Sequence, residues 1–61
     1  MNEIFVGAKV IFQNEIWFVE ELPRYSVTGW WVGIVKDHVH RDTLIYNVIM
    51  PEGLNEKRRY E

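Results

Sequence analysis

Two pairs of adjacent aromatic residues, Trp17-Phe18 and Trp30-Trp31, constrain the fold of this chain most. Each pair lies in a run of β-branched and aromatic residues, which is typical of a β-strand. Neighbouring side chains on a strand point to opposite faces, so one aromatic of each pair faces a core and the other faces away. A chain of 61 residues has room for one small core. We therefore expect a small β-domain with aromatic side chains outside its core.

Composition narrows the class of protein. The chain has no cysteine, which excludes disulfides and thiol chemistry. Its formal net charge of −2 does not predict general binding to nucleic acid. The first residues lack the pattern of a signal peptide, and no apolar run approaches the roughly 20 residues that span a bilayer. We expect a cytoplasmic protein that does not associate with membranes.

Four segments are predicted to be strands, and the first two form a hairpin. They are residues 8–12, 15–21, 30–37 and 43–50. Residues 22–29 are predicted to be a loop because they contain proline, serine, threonine and glycine, and residues 37–42 are predicted to be a polar turn. Residues 1–61 are expected to form a single domain, with 55–61 as a mobile basic tail.

The hairpin is predicted to turn at Asn14-Glu15. This register pairs Phe12 with Trp17 and Lys9 with Glu20, as an ion pair across the strands. It also places five residues on one face as the core: Ala8, Val10, Phe12, Trp17 and Val19. The alternative that stays open is a slip of the second strand by one residue, which would exchange Trp17 and Phe18.

The third strand has two different faces. Trp30, Val32 and Ile34 share one of them, and Trp31, Gly33 and Val35 share the other. Which of the two tryptophans points outward stays open at this point. A glycine in the middle of a strand predicts a bend, a bulge or a close approach by another group at Gly33.

The order of these strands, with Gly29-Trp30-Trp31 opening the third, resembles an SH3-like barrel. In eukaryotic signalling SH3 domains the first of two such tryptophans lines a groove for proline-rich peptides. The chain lacks that family's Ala-Leu-Tyr-Asp-Tyr run and its Pro-x-Asn-Tyr-Val element. The resemblance therefore implies an architecture alone: an all-β, small antiparallel SH3-like barrel or curled sheet of four to five strands.

A second resemblance is to the plasmid type II dihydrofolate reductases, which are also SH3-like. The segment from Trp31 to Val35 is similar to their Trp-x-Gly-x-Ile-Val motif once one residue is dropped. Their catalytic Gln-Ile-Tyr strip corresponds to Leu44-Ile45-Tyr46 in this chain. Because leucine replaces the glutamine, reductase activity is not expected.

Few residues suggest chemistry. In an extended segment His38, His40 and Asp42 would point the same way, but they lie in one short predicted turn beside Arg41. Glu20 and Glu21 are expected on opposite faces of one strand, which does not suit a shared acid–base site. We expect a protein that is not an enzyme and that has no metal site and no cofactor.

Apolar residues on the second face of the sheet indicate an interaction site. Ile11, Phe18, Trp31, Val35, Ile45 and Ile49 could form one patch. The residues predicted to bind a partner are Ile11, Phe18, Tyr25, Trp30, Trp31 and Ile45. The open alternative is that the tail folds over this face, or that the sheet curls and partly buries both faces.

The sequence favours a small module that binds a larger protein. By analogy it is similar to accessory regulators or inhibitors of phages and plasmids. One alternative is a barrel that binds nucleic acid through its aromatics and a set of cations, which are Lys36, Arg41, Lys57, Arg58 and Arg59. Another alternative is a structural homo-oligomer, in which the patch joins copies of the chain.

Overall fold

Four antiparallel strands form one sheet in a computed structural model that describes residues 4–51 and 53–55. The strands follow chain order as β1 (Lys9–Phe12), β2 (Glu15–Ser26), β3 (Gly29–Lys36) and β4 (Val39–Leu44). The sheet is curled and does not close within these residues. The predicted all-β class is confirmed. Residues 56–61 of the predicted tail lie outside the described residues.

Tight turns join the strands of the first and last hairpins. Gln13 and Asn14 link β1 to β2 with φ angles of 56° and 65°, and Asp37 and His38 link β3 to β4 with 50° and 68°. Two residues with positive φ give a turn whose twist matches that of the strands. The prediction of a polar turn over residues 37–42 is wrong, because this turn needs only its first two residues and β4 begins at Val39.

Strand β2 is longer than predicted. Residues 22–26 belong to it, and the chain reverses at Val27 and Thr28, so the prediction of a loop over 22–29 is wrong. The register between β2 and β3 shifts between Val19 and Glu21 and again between Glu21 and Arg24. Such irregularities accommodate Pro23, which has no N–H to contribute to the ladder.

The register of the first hairpin differs from the predicted one. Phe12 lies opposite Glu15 and Val10 opposite Trp17, because the turn is Gln13-Asn14. Lys9 therefore lies opposite Phe18 and not opposite Glu20. The difference amounts to two residues, and a shift of two leaves every side chain on its predicted face.

The core lies on one face of the sheet. Its seven side chains are Ala8, Val10, Phe12, Trp17, Val19, Val32 and Ile34, with Ile4, Val48 and Met50 packed against them. The five residues predicted from the first hairpin are confirmed as core. Phe12 and Trp17 meet edge to face with their ring centroids 5.6 Å apart. Trp17 Nε1 has no hydrogen-bond acceptor among the described residues.

The chain does not continue as a strand after β4. The prediction of a strand over residues 43–50 is therefore wrong beyond the end of β4. A 3-10 helix occupies Ile45–Asn47, and the chain then returns to β1. There Ile11 and Ile49 exchange two backbone hydrogen bonds of 2.8 Å. None of the described segments is a helix long and apolar enough to cross a membrane.

Candidate functional site

The face of the sheet opposite the core carries a group of neighbouring apolar side chains. Register pairs Ile11 with both Ile16 and Ile49, and pairs Phe18 with Val35. Ile16 and Phe18 are two residues apart on β2 and so share this face. We call Ile11, Ile16, Phe18, Val35 and Ile49 the outer patch.

The outer patch is open to solvent. Ile16 is 46% exposed, Phe18 42% and Ile49 59%, whereas Ile11 and Val35 are half-buried. Polar and charged residues flank it on the same face, with Lys9 opposite Phe18 and His40 opposite Val35. An apolar centre with a charged rim is the usual composition of a protein interface.

A group of charged residues separates the outer patch from the rest of that face. Glu20, Glu21, Arg24, His40 and Asp42 line one shallow concavity together with Arg41. His40 Nδ1 lies 2.8 Å from Glu20 Oε2, and Arg24 lies 3.0 Å from Glu21 and 3.6 Å from Asp42. We call the first five residues the charged belt. Its three carboxylates outnumber its one guanidinium, so the belt is acidic on balance.

The charged belt corrects two expectations. Glu20 and Glu21 were expected on opposite faces, but the register shift between Val19 and Glu21 lets both line the same concavity. The ion pair predicted between Lys9 and Glu20 is also wrong, because Glu20 contacts His40 instead. An extra residue in a strand changes the direction of the side chains beside it.

The structure separates the six residues predicted to bind a partner. Ile11 and Phe18 belong to the outer patch. Trp31 is on the same face, but Gly33 lies between it and the patch. The side chain of Glu21 covers Gly33. Ile45 is in the 3-10 helix. The predicted patch is therefore interrupted by the charged belt before it reaches Trp31.

Tyr25 and Trp30 form a second exposed site at the far end of the β2–β3 hairpin. Their ring centroids are 5.4 Å apart, and the side chains are 69% and 46% exposed. Strand β1 pairs with β2 only as far as Phe18, so this end of the hairpin extends past it. Trp31 is half-buried and donates its indole N–H to Thr28 Oγ1 over 2.8 Å, so Trp30 is the more exposed tryptophan of the pair.

Of the cations predicted for nucleic-acid binding, Lys36 forms ion pairs within the chain and Arg41 contacts an aromatic ring. Lys36 is 3.5 Å from both Glu15 and Asp37, and the Arg41 guanidinium carbon is 5.7 Å from the centre of the Phe12 ring. Residues 57–59 lie outside the described residues. Over residues 4–51 and 53–55, no three His, Asp or Glu side chains are grouped so as to hold a metal ion.

Sequence reasoning missed Ile16 as a member of the outer patch. Its signal was available, since Ile16 alternates with Trp17 and shares the parity of Phe18. It also missed Asn55, whose side-chain amide donates to the backbone carbonyl of Lys9 and accepts from its backbone N–H, each over 2.7 Å. No sequence pattern marks a contact between residues so far apart along the chain.

Comparison of the chain with protein families, with curated proteins and with solved structures finds no significant match.

Proposed function

We propose that this chain is a non-enzymatic protein-interaction module that binds a larger protein through the outer patch. The observation that carries the proposal is the outer patch itself. Five apolar side chains adjoin one another across the sheet, and three of them are exposed although a complete core occupies the opposite face. Contiguous apolar surface of this kind commonly marks an interaction site.

The surroundings of the patch also support a protein partner. Phe18 is the largest side chain in the patch and lies near its centre, the position at which interface anchors concentrate. The carboxylate of Glu20, which contacts His40 beside Val35, is an unfavourable neighbour for a nucleic-acid backbone. The charged belt gives the partner a polar rim to contact.

We propose further that the fold is a small SH3-like architecture. Its support is the path of the chain after β4, which makes one 3-10 turn and returns to pair Ile49 with Ile11 on β1. Such a return would bring the two ends of the curled sheet toward each other. The proline-peptide groove and the reductase activity of the resembling families form no part of this proposal.

A capture experiment with matched lysine variants tests the interaction. The immobilised chain is incubated with an extract of its native host, and retained macromolecules are identified. Phe18→Lys places a charge at the centre of the patch, and we expect it to cost about 2 kcal/mol of binding, a loss of roughly thirtyfold. Val27→Lys is the control, because Val27 is 98% exposed in a turn away from the patch.

Three outcomes contradict the proposal. Equal capture by Phe18→Lys and the unmodified chain places the contact elsewhere. Retained material that nuclease removes identifies nucleic acid as the partner. The third outcome is a molecular mass of the purified protein that rises with its concentration and that falls to the monomer value in Phe18→Lys. That outcome assigns the patch to self-association. Circular dichroism of each variant checks that the fold is kept.

A further inference from the structure

The two edges of the sheet are treated differently by the rest of the chain. At the β1 edge, Ile49 exchanges two backbone hydrogen bonds with Ile11, and the Asn55 side chain both donates to and accepts from the backbone of Lys9. At the β4 edge, no segment within residues 4–51 and 53–55 pairs with the strand. One edge is capped, and the other is open.

The open edge presents regular backbone. The hairpin closes with Lys36 opposite Val39, and the register with β3 runs from there to Leu44 without a shift. In an antiparallel hairpin with a two-residue turn, alternate residues direct their backbone groups to the partner strand. Val39, Arg41 and Thr43 therefore pair with β3, while the backbone N–H and C=O groups of His40 and Asp42 point to the open edge.

A second copy of the chain fits this edge poorly. Symmetric antiparallel pairing that keeps the two cores on one side must centre on a residue facing its own copy. The longest overlaps, over residues 39–43 and 40–44, centre on Arg41 and Asp42 respectively, and each sets like charges directly opposite. Charges of this kind are a common defence of an edge strand against its own copies.

Arg41 indicates the chemistry that would fit instead. It lies on the core side of β4 above the Phe12 ring, and no carboxylate among the described residues is within ion-pair distance of it. On the other side of the same edge, Asp42 adjoins Glu20 and Glu21 in the charged belt. An acidic side chain of an added strand is therefore favourable where it faces Arg41 and unfavourable where it faces Asp42.

We propose that the β4 edge binds an extended segment of a partner protein as an additional strand, with an acidic side chain of that segment facing Arg41 and non-acidic ones facing Asp42. Backbone hydrogen bonds to His40 and Asp42 supply the affinity, and the charge pattern selects the segment. This site uses a different surface from the outer patch, so it stands whether or not the patch binds a protein.

Three blocked heptapeptides test the proposal. The first is Thr-Val-Thr-Glu-Thr-Val-Thr, and the other two carry Gln or Lys in place of the central Glu. We expect the Glu peptide to slow hydrogen exchange at the amides of His40 and Asp42 and to bind about threefold more tightly than the Gln peptide and about tenfold more tightly than the Lys peptide. Affinities come from chemical-shift titration of the full chain.

Exchanging the charges between protein and peptide gives the sharpest test. Arg41→Glu is expected to reverse the order, so that the Lys peptide binds more tightly than the Glu peptide. Phe18→Ala is the control, because Phe18 belongs to the outer patch, and the order of the peptides should stay as in the unmodified chain. An unchanged order in Arg41→Glu overturns the assignment of the acidic side chain.

Removal of the backbone donor separates strand addition from simple charge attraction. Asp42→Pro deletes an N–H that points to the open edge and leaves the bonds to β3 in place, so binding of the Glu peptide should be lost. If that variant does not fold, a Glu peptide N-methylated at alternate residues answers the same question on the unmodified chain. Binding that survives both changes overturns the proposal, as does protection of His40 and Asp42 in a dimer without peptide.

Discussion

At the scale of single residues, Gly33 shows how closely the chain is fitted around its irregular second strand. Gly33 is buried opposite Glu21, and a Cβ added to it would lie 3.0 Å from Glu21 Cβ and 3.3 Å from Glu21 Oε1. The first of these distances is shorter than carbon atoms tolerate without a shift. The glycine in the middle of β3 therefore marks a close approach by another group, the Glu21 side chain. This is one of the three features that the sequence predicted at Gly33.

Gly33→Ala should accordingly destabilise the protein by about 1–3 kcal/mol, the usual cost of overfilling a packed site. Urea unfolding measures the change. Glu21→Gly removes the atom that the new methyl group meets, so the cost of Gly33→Ala should shrink in that background. An equal cost in both backgrounds would mean that the penalty arises from something other than this contact.

At the scale of elements, the two tight turns decide where the strands begin and end. Gln13, Asn14, Asp37 and His38 all adopt positive φ, although none of them is glycine. Asparagine, aspartate and histidine adopt this conformation more often than other residues with a Cβ, but each of them still bears a steric cost there that glycine does not. These turns set the registers of both hairpins.

His38→Gly should therefore stabilise the protein by up to about 1 kcal/mol. Glycine relieves the backbone strain at φ 68°, but it also raises the conformational entropy of the unfolded chain, which offsets part of the gain. Thermal unfolding followed by circular dichroism checks the prediction. Val39→Gly is the control one residue later. Val39 is part of β4, so glycine there should destabilise the strand.

Alternation of side chains made most of the fold predictable, and local irregularity set the limit. The apolar faces of residues 8–12 and 15–19 were correct because side-chain parity survives a register error of two residues. The extension of β2 through Pro23 was missed. Shifts in register interrupt the two-residue alternation of side chains by which a strand is predicted from sequence. The start of β4 was missed because His40, Arg41 and Asp42 are polar residues on an exposed edge.

The outer patch was predictable to the same extent as the strands. Parity placed Ile11, Phe18, Val35 and Ile49 on the second face, and the structure brings them together. Parity could not show that Glu21 would lie across Gly33 and cut Trp31 off from them. The open β4 edge was equally hidden, because it depends on which segments cap the sheet.

At the scale of the whole molecule, the core is small compared with the apolar surface left outside it. Seven side chains form the core, whereas eleven large hydrophobic residues are exposed within the described part of the chain. Folded proteins are stable by about 0.05–0.15 kcal/mol per residue, which gives a chain of this length about 3–9 kcal/mol. Loss of one core side chain is comparable to that total.

Ile34→Ala should therefore remove a large part of this stability, so that the protein unfolds at a much lower temperature than the unmodified chain. Ile34 is fully buried, and truncation of such a side chain costs about 2–5 kcal/mol. Circular dichroism and tryptophan fluorescence should lose their native signals together, as expected for one cooperative unit. Val27→Ala, at a side chain that is almost wholly exposed, should leave both signals unchanged.

The unequal edges of the sheet have a consequence for fibre formation. A linear polymer assembled by strand pairing needs two reactive ends on every unit, as amyloid does. Within the part of the chain that the structure describes, the sheet has one such end, because Ile49 and Asn55 already bond to the backbone of β1. In the language of polymer chemistry it is a terminator: a copy that joins a growing stack through β4 offers the next copy no site for propagation.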